Sequence, residues 1–466
     1  MIPYRDIYSK HGPFDVLVFR DGPYAVAVDR KGKLIDKNTD HVEVINHVFD
    51  YLTCDRDWIE TVCVMGSFEV DEPIKVPSYT RLVINGKIKL KPNVDSPIIT
   101  NKNFNNYDEE IEIIGGVIDG NNNVLSGENS SILIKGSVET HCKNIRVVGV
   151  KVINVKGDGD NGVGIWLKNV TRSEVRNCYV EKCRYGISVE GTHNYQSAII
   201  GNTVVECDLD GIIVGLSHEP TVALNRVAKC GRHGISIDSA KMAKVISNTV
   251  RENGGDGIAV FTSINEPPIK PDIIGNTVYK NAKSGIWIGG SEKAIVMGNK
   301  VIENGEYGIR ISACHKAIVK GNIIEYNSYD GIYLYDVHNS IIANNYVNAN
   351  GGAGSGYAGI RLANYANGVI IEGNRVMDEQ SEKTQDYGIA IEGSCTLVKV
   401  RNNIVRGNKT EDYHFTTSGV VICDSIVYSE LPSEGEKPGD TILYYDGTYH
   451  YLAIWDGSTW KKVQLS

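Results

Sequence analysis

Asp210, His233 and Asp256 each stand directly before a Gly-Ile pair, and Asp330 repeats the arrangement further along the chain. Asp238 follows His233 by five residues. Two carboxylates around a histidine are groups that transfer protons at a glycosidic bond, one as acid and one as base. If each Gly-Ile pair marks one layer of a stacked chain, Asp210 and Asp256 lie two layers apart, about 9–10 Å at the spacing of neighbouring strands. Inverting glycosidases hold their carboxyl groups ~6.5–9.5 Å apart. His233 between them could tune the acid or orient a water. Elimination on a uronate would use other residues. Arg310 or Arg361 could neutralise the carboxylate, and Tyr307, Tyr333 or His233 could move the protons. The catalytic candidates are Asp210, His233, Asp256, Asp238 and Arg310.

These residues acquire positions from an internal repeat. One part of it is Asn followed two residues later by Val or Ile, as at Asn202, Asn225, Asn248, Asn276, Asn299, Asn322, Asn345, Asn374 and Asn403. The other part is Gly-Ile-x-aliphatic, at Gly164, Gly186, Gly211, Gly234, Gly257, Gly285, Gly308, Gly331, Gly359 and Gly388. The spacings between these glycines are 22, 25, 23, 23, 28, 23, 23, 28 and 29. Apolar and polar residues alternate over short runs, which is strand periodicity. A unit of about 23 residues cannot bury its inner face alone, but stacked units share a continuous core. The pattern predicts an all-β parallel solenoid of three short strands and three turns per coil, with the glycines allowing bends at φ > 0. The Asn column predicts a ladder of side-chain amides. A second column runs Cys183, Cys207, Cys230, Asn253, Asn281, Asn304, Asn327 and Asn350, and its cysteines read as small inward-facing packing residues.

If each Ile points inward, the next residue points out. That column contains Trp166, Trp287, Arg310, Tyr333 and Arg361, and a second contains Tyr335. The residues before the glycines add Tyr307, Asp330 and Tyr387. Rings stack on sugar faces, while Arg and carboxylates bond hydroxyl or uronate groups. Trp166, Trp287, Tyr307, Asp330, Tyr333, Tyr335, Arg361 and Tyr387 are therefore the substrate-binding candidates. Insertions at 157–163, 262–271, 351–357 and 379–387 flank the same strand and would border the groove.

The repeat over roughly residues 60–425 resembles the right-handed parallel β-helix superfamily of pectate lyases, polygalacturonases, alginate epimerases and phage tailspikes. Cys230-Gly-Arg-His-Gly-Ile-Ser-Ile resembles the Gly-His-Gly-Leu-Ser-Ile segment of polygalacturonases. Gly308-Ile-Arg-Ile-Ser resembles their Arg-x-Lys segment, with Ser312 in place of the lysine. The resemblance implies a right-handed parallel β-helix, a polysaccharide partner and a homotrimer.

The ends differ from the repeat. Residues 40–52 read as an amphipathic helix, with Asp40 and Glu43 as a capping box and Val42, Ile45, Val48, Phe49 and Leu52 on one face. This helix would cap the solenoid behind a small β-element. Residues 430–439 read as a linker, and two Asp-Gly turns between aromatic-rich runs predict a C-terminal β-hairpin module. The expected divisions are 1–60, 61–425 and 426–466.

The 466-residue chain is rich in glycine (49) and poor in proline (13), with a net charge of −9. That composition excludes a collagen-like or disordered chain, and the charge argues against a nucleic-acid partner. No run is long enough for a membrane span, and no signal peptide is visible. A virion-associated, cytoplasmic or non-classically exported location is the expectation. The ten cysteines form no CxxC pair. No cofactor is expected; the loop from Gly157 to Gly162 holds Ca²⁺-type ligand residues, which a plain turn explains equally well. The functional expectation is a protein that binds and degrades a polysaccharide, of glycoside hydrolase or uronate lyase type, like a phage tailspike depolymerase. The alternative is a non-catalytic viral fibre or glycan-binding adhesin.

Overall fold

The computed structural model describes residues 14–159, 161–262 and 270–417, together with strand segments at 420–422, 427–428, 441–445 and 450–464. The chain forms two compact units, residues 1–249 and 250–466. Both are built from coils of a parallel β-helix.

The first unit opens with antiparallel strands β1 (Val16–Asp21), β2 (Tyr24–Asp29) and β3 (Leu34–Asn38). Helix α1 (His41–Asp50) follows and buries Val42, Val44, Ile45, Val48 and Phe49. Only half of the expected capping box forms. The Asp40 carboxylate accepts from the Glu43 amide at 3.2 Å, but Glu43 turns to the Asn38 amide instead of the Asp40 N–H. The helix packs against β2, β3 and the strands Glu60–Val70 and Ile74–Val76. Glu60–Val70 pairs in parallel with Thr80–Leu90, and regular coils follow.

One coil shows the plan. Strand Ala198–Ile200 leads to Gly201 at φ +69°, then Asn202 and strand Thr203–Val205; Glu206 at φ +55° makes the next corner before strand Ile212–His218. The following coil pairs in parallel throughout: Ala198 with Thr221, Thr203 with Arg226, Ile212 with Ile235. Left-handed residues stand immediately before the ladder positions, because each corner must bend the chain sharply within one residue.

The asparagines form the expected ladders. In the first unit Asn202 donates to Asn225 and Asn225 to Asn248, each at 3.0 Å. In the second unit the line runs through Asn276, Asn299, Asn322, Asn345, Asn374 and Asn403 at 2.9–3.0 Å. Each acceptor oxygen also takes the backbone N–H of the preceding ladder residue, as Asn345 does from Asn322 at 3.0 Å. A second ladder links Asn253, Asn281, Asn304, Asn327 and Asn350, then continues through Gln385, Asn408 and Asp412. In the first unit that column holds Cys183, Cys207 and Cys230, all buried, and burial pushes the Cys183 thiol up to about 12.

The Gly-Ile glycines have a different cause from the one expected. Among those described, none lies at positive φ. They face the valine or isoleucine of the Asn-x-Val strand across the core. A Cβ on Gly331 would lie 2.7 Å from Val347 Cγ1, and one on Gly164 would lie 2.7 Å from Val180 Cγ1. The two sequence motifs are thus the two sides of one contact.

At the C-terminus, Thr441–Tyr445, His450–Trp455 and Trp460–Gln464 form an antiparallel meander. The Asp456 carboxylate closes one turn by accepting from the Ser458 and Thr459 amides. The expected linker at 430–439 lies outside the described residues.

Asn322→Leu should lower unfolding free energy by about 2–4 kcal/mol, since it strands several buried polar groups. Gly308→Ala should cost about 1–3 kcal/mol through overpacking against Ile324 and the Gly331 carbonyl. Urea denaturation measures both; a loss below 0.5 kcal/mol on the order of surface substitutions would contradict these roles.

Candidate functional site

The Gly-Ile strands align in register, so their outward residues form columns. In the first unit Leu133, Trp166, Ser188, Ile213 and Ser236 are successive partners. This stretch is closed, not open. Trp166, expected in the groove, is 3% exposed and packs with Leu133, Val163 and Tyr185, with Leu209 and Ile213 against them. Asp210 is fully buried and takes Arg232 Nε and Nη2 at 2.6 Å each. Its Oδ1 also accepts the His233 amide at 2.9 Å. Asp238 accepts the Ser239 hydroxyl at 2.8 Å. His233 is half-buried.

Asp256 belongs to the second unit. Its Oδ1 accepts the Ser284 amide at 2.9 Å, and Asp330 Oδ1 accepts the Ala358 amide at 2.6 Å. Asp210, Asp256 and Asp330 therefore do the same work: each caps the amide at the matching position of the next coil. Asp before Gly-Ile is a coil-to-coil cap, a reading that the type and spacing of the residues do not separate from catalysis.

The second unit presents an aromatic and cationic face. Its column runs Ala259, Trp287, Arg310, Tyr333, Arg361, Ala390 and His414 in register. Phe261 stacks on Trp287 with centroids 5.5 Å apart. Tyr307 stacks on Tyr333 at 4.6 Å and meets Tyr329 edge-on at 5.3 Å; Tyr329 stacks on Tyr357 at 4.9 Å. The Arg310 guanidinium lies 5.7 Å from the Tyr307 ring centre. Tyr335 is exposed. Tyr387 stacks on His414 at 4.2 Å, and His414 Nδ1 pairs with Glu411 at 2.9 Å.

Arg361 joins this face together. Its Nε reaches Asp330 at 3.1 Å, Nη1 bonds Glu392 and Nη2 donates to the Gly356 carbonyl. Asp386 accepts the Gly356 amide, so the insertions at 351–357 and 379–387 meet at this arginine. Burial pushes the Asp330 carboxyl up to about 6, although Arg361 and the Ala358 amide pull it down. Burial also pushes the Tyr307 phenol up to about 12 and raises Tyr333. Both phenols are protonated at neutral pH and can donate protons.

Two family models match the chain: the right-handed β-helix region over residues 270–426, and the periplasmic copper-binding protein NosD over residues 114–301. No curated protein matches it in sequence at a significant level. Among solved structures, the A-module of the Azotobacter vinelandii mannuronan C-5 epimerase AlgE4 is 16% identical with a TM-score of 0.54, covering 82% of this chain and 96% of that one. The Dettilon tailspike protein is 14% identical with a TM-score of 0.52, covering 91% and 73%. A double mutant of the periplasmic alginate epimerase AlgG is 15% identical with a TM-score of 0.52, covering 74% and 77%. At such identities the likeness is one of fold. The chain has the right-handed parallel β-helix fold.

In this β-helix the sequence pattern brings together Trp287, Arg310, Tyr307, Tyr333, Asp330 and Arg361. It leaves Asp210, His233 and Asp238 in the other unit. Tyr329, Tyr357, Glu411 and His414 were not singled out. Tyr329 and Tyr357 stand two residues before a Gly-Ile pair, a column that the turn obscures; Glu411 and His414 follow the last Gly-Ile pair. In the 157–163 loop, Asn161 donates to the Asp158 backbone and carboxylate, and Asp160 lies outside the described residues. Among the described residues no three His, Cys, Asp or Glu side chains are grouped to hold a metal ion, and no helix is long and apolar enough to cross a membrane.

The raised Asp330 carboxyl gives a signed pH dependence. The folded state holds this proton more tightly than the unfolded chain, whose carboxyl titrates near its ordinary value of 3.8. The associated stability is present below that value and is lost as pH rises through about 6. Urea unfolding of wild type and Asp330→Asn, compared from acid to neutral pH, should show the difference changing across this window. A flat difference would show that Asp330 does not titrate there.

Proposed function

We propose that this β-helix binds a polysaccharide along the outer face of the Gly-Ile strands in its second unit and cleaves it. The observation that carries this reading is the run of paired rings, Tyr307 with Tyr333 and Tyr329 with Tyr357, interleaved with Arg310 and Arg361 on successive coils. Rings set at the coil spacing offer apolar surface to pyranose faces, and the arginines offer donors to sugar oxygens. Two of the fold neighbours are named for acting on mannuronan or alginate, which supports a polysaccharide as the partner.

Of the two cleavage chemistries, elimination fits this face better than hydrolysis. Asp256 and Asp330 are both engaged by backbone amides, and Asp330 and Glu392 share one arginine. A hydrolase needs a carboxylate pair available to water and leaving group. Elimination needs a neutralising cation, a base that takes the proton α to the carboxylate and a donor for the leaving oxygen. Arg310 is of the first type. One phenol, Tyr307 or Tyr333, having lost its proton to solvent when the substrate binds, would take the α-proton and return it to the leaving oxygen.

The test is incubation with a panel of neutral and acidic polysaccharides, following reducing ends and the ultraviolet absorbance of unsaturated uronates. Both signals together are expected. Tyr307→Phe or Tyr333→Phe should lower turnover by on the order of 100-fold with folding retained. Reducing ends without the chromophore would replace elimination by hydrolysis. Binding without any product would leave a glycan adhesin.

A further inference from the structure

The second unit carries an apolar column on a different sheet from the aromatic face. The strands Asp272–Ile274, Ile295–Met297, Ile318–Lys320, Ile341–Ala343, Ile370–Glu372 and Val398–Arg401 pair in parallel, one per coil. Their central residues, from Ile273 to Val400, are buried in the core. The residues just before these point outward and stack in the order Asp272, Ile295, Ile318, Ile341, Ile370, Lys399. Four isoleucines thus stand in line on the surface. None is fully buried, and Ile318 is 36% exposed. Met297, in the neighbouring outward column, is 39% exposed.

Strand propensity does not demand isoleucine here. The matching column of the first unit reads Glu112, Arg146, Glu174, Ala198, Thr221 and Lys244. Polar residues therefore serve at this position. Four successive isoleucines leave apolar surface against water, which a partner would remove. The column also ends in opposite charges. Asp272 stands one coil before the first isoleucine, and Lys399 one coil after the last.

These ends define the partner and its direction. A two-fold axis along the strand direction lays the column on a second copy of itself, reversed. Asp272 then meets the partner's Lys399 at both ends, and Ile318 meets the partner's Ile341. Lys320 faces the partner's Ala343, between the partner's Glu372 and the partner's Lys320, so its charge meets one of each sign. A two-fold axis along the coils instead sets Ile370 against the partner's Glu372 and Lys399 against the partner's Arg401. A three-fold assembly with parallel coils sets like ends side by side, Asp272 with Asp272 and Lys399 with Lys399. Of the three, the reversed pairing matches apolar with apolar and negative with positive.

We propose that this column is the contact of a two-fold homodimer in which the coil axes of the two second units run antiparallel. The patch is one strand wide and four coils long, ~19 Å at the strand spacing. So narrow a face falls short of the ~800 Å² per partner of a standard interface, so the dimer is weak, with a Kd on the order of 10 μM. The contact lies on the other sheet and stands apart from the polysaccharide reading.

Analytical ultracentrifugation of the full chain, from tenfold below to tenfold above ~10 μM, should show a monomer–dimer equilibrium. Ile318→Lys should weaken association by about 100-fold, because symmetry places the change on both sides of the contact, while urea unfolding stays near wild type. A monomer throughout, a trimer, or a dimer that Ile318→Lys leaves intact would overturn the proposal. Direction is read separately by oxidative cross-linking of Ile295→Cys and Ile370→Cys proteins, each in a Cys54→Ser/Cys423→Ser background. Reversed pairing brings these two positions face to face. Their equimolar mixture should cross-link, and neither protein should cross-link alone. Cross-linking of Ile295→Cys with itself, or none in the mixture, would reject the antiparallel dimer.

Discussion

The rest of the structure depends on one contact inside each coil and one set of bonds between successive coils. The Gly of Gly-Ile lies against the Val or Ile of Asn-x-Val, so closely that no side chain fits between them. The Asn of the same motif bonds the Asn of the next coil through both its amide and its backbone. The first contact sets the cross-section of a coil; the second sets its register on the next. With both in place, each strand pairs in parallel with its counterpart about 23 residues on, and insertions must leave as loops at the corners.

That register is what makes a surface site possible. Arg310, Tyr333 and Arg361 are distant in sequence but adjacent in space because their strands pair residue by residue. The same register also consumes chemistry. Asp210, Asp256 and Asp330 look like a catalytic row, yet each carboxylate caps the next coil's amide. Asp330 combines this role with a link to Arg361 and so couples the scaffold to the ionic network of the face. The two units use their outer columns differently: the first closes over Trp166 with Leu133, Val163 and Tyr185, whereas the second presents rings and arginines.

Much of this was legible in the sequence. The spacing of Asn and Gly-Ile implied a solenoid, and the asparagine columns implied ladders. The reason for the glycines was not legible, since glycine serves left-handed corners and tight cores alike. The corners are made partly by other glycines, such as Gly201, Gly275, Gly298 and Gly321, and partly by residues such as Leu224 and Lys229, which carry no signal for positive φ. Alternation correctly placed Arg310, Tyr333 and Arg361 on one column. It could not reveal that Trp166 is roofed over, because the roof comes from side chains of neighbouring coils. His414 and Glu411 were missed because the Gly-Ile marker ends at Gly388 while the strand pairing continues.

By itself, then, the sequence determined the fold class, the coil length and the membership of the columns. These follow from periodicity, and periodicity survives in one dimension. The tertiary structure decided which members of a column are available. Whether a carboxylate is capped, an arginine neutralised or a tryptophan roofed over depends on partners from other coils. Those partners meet only after the chain has stacked.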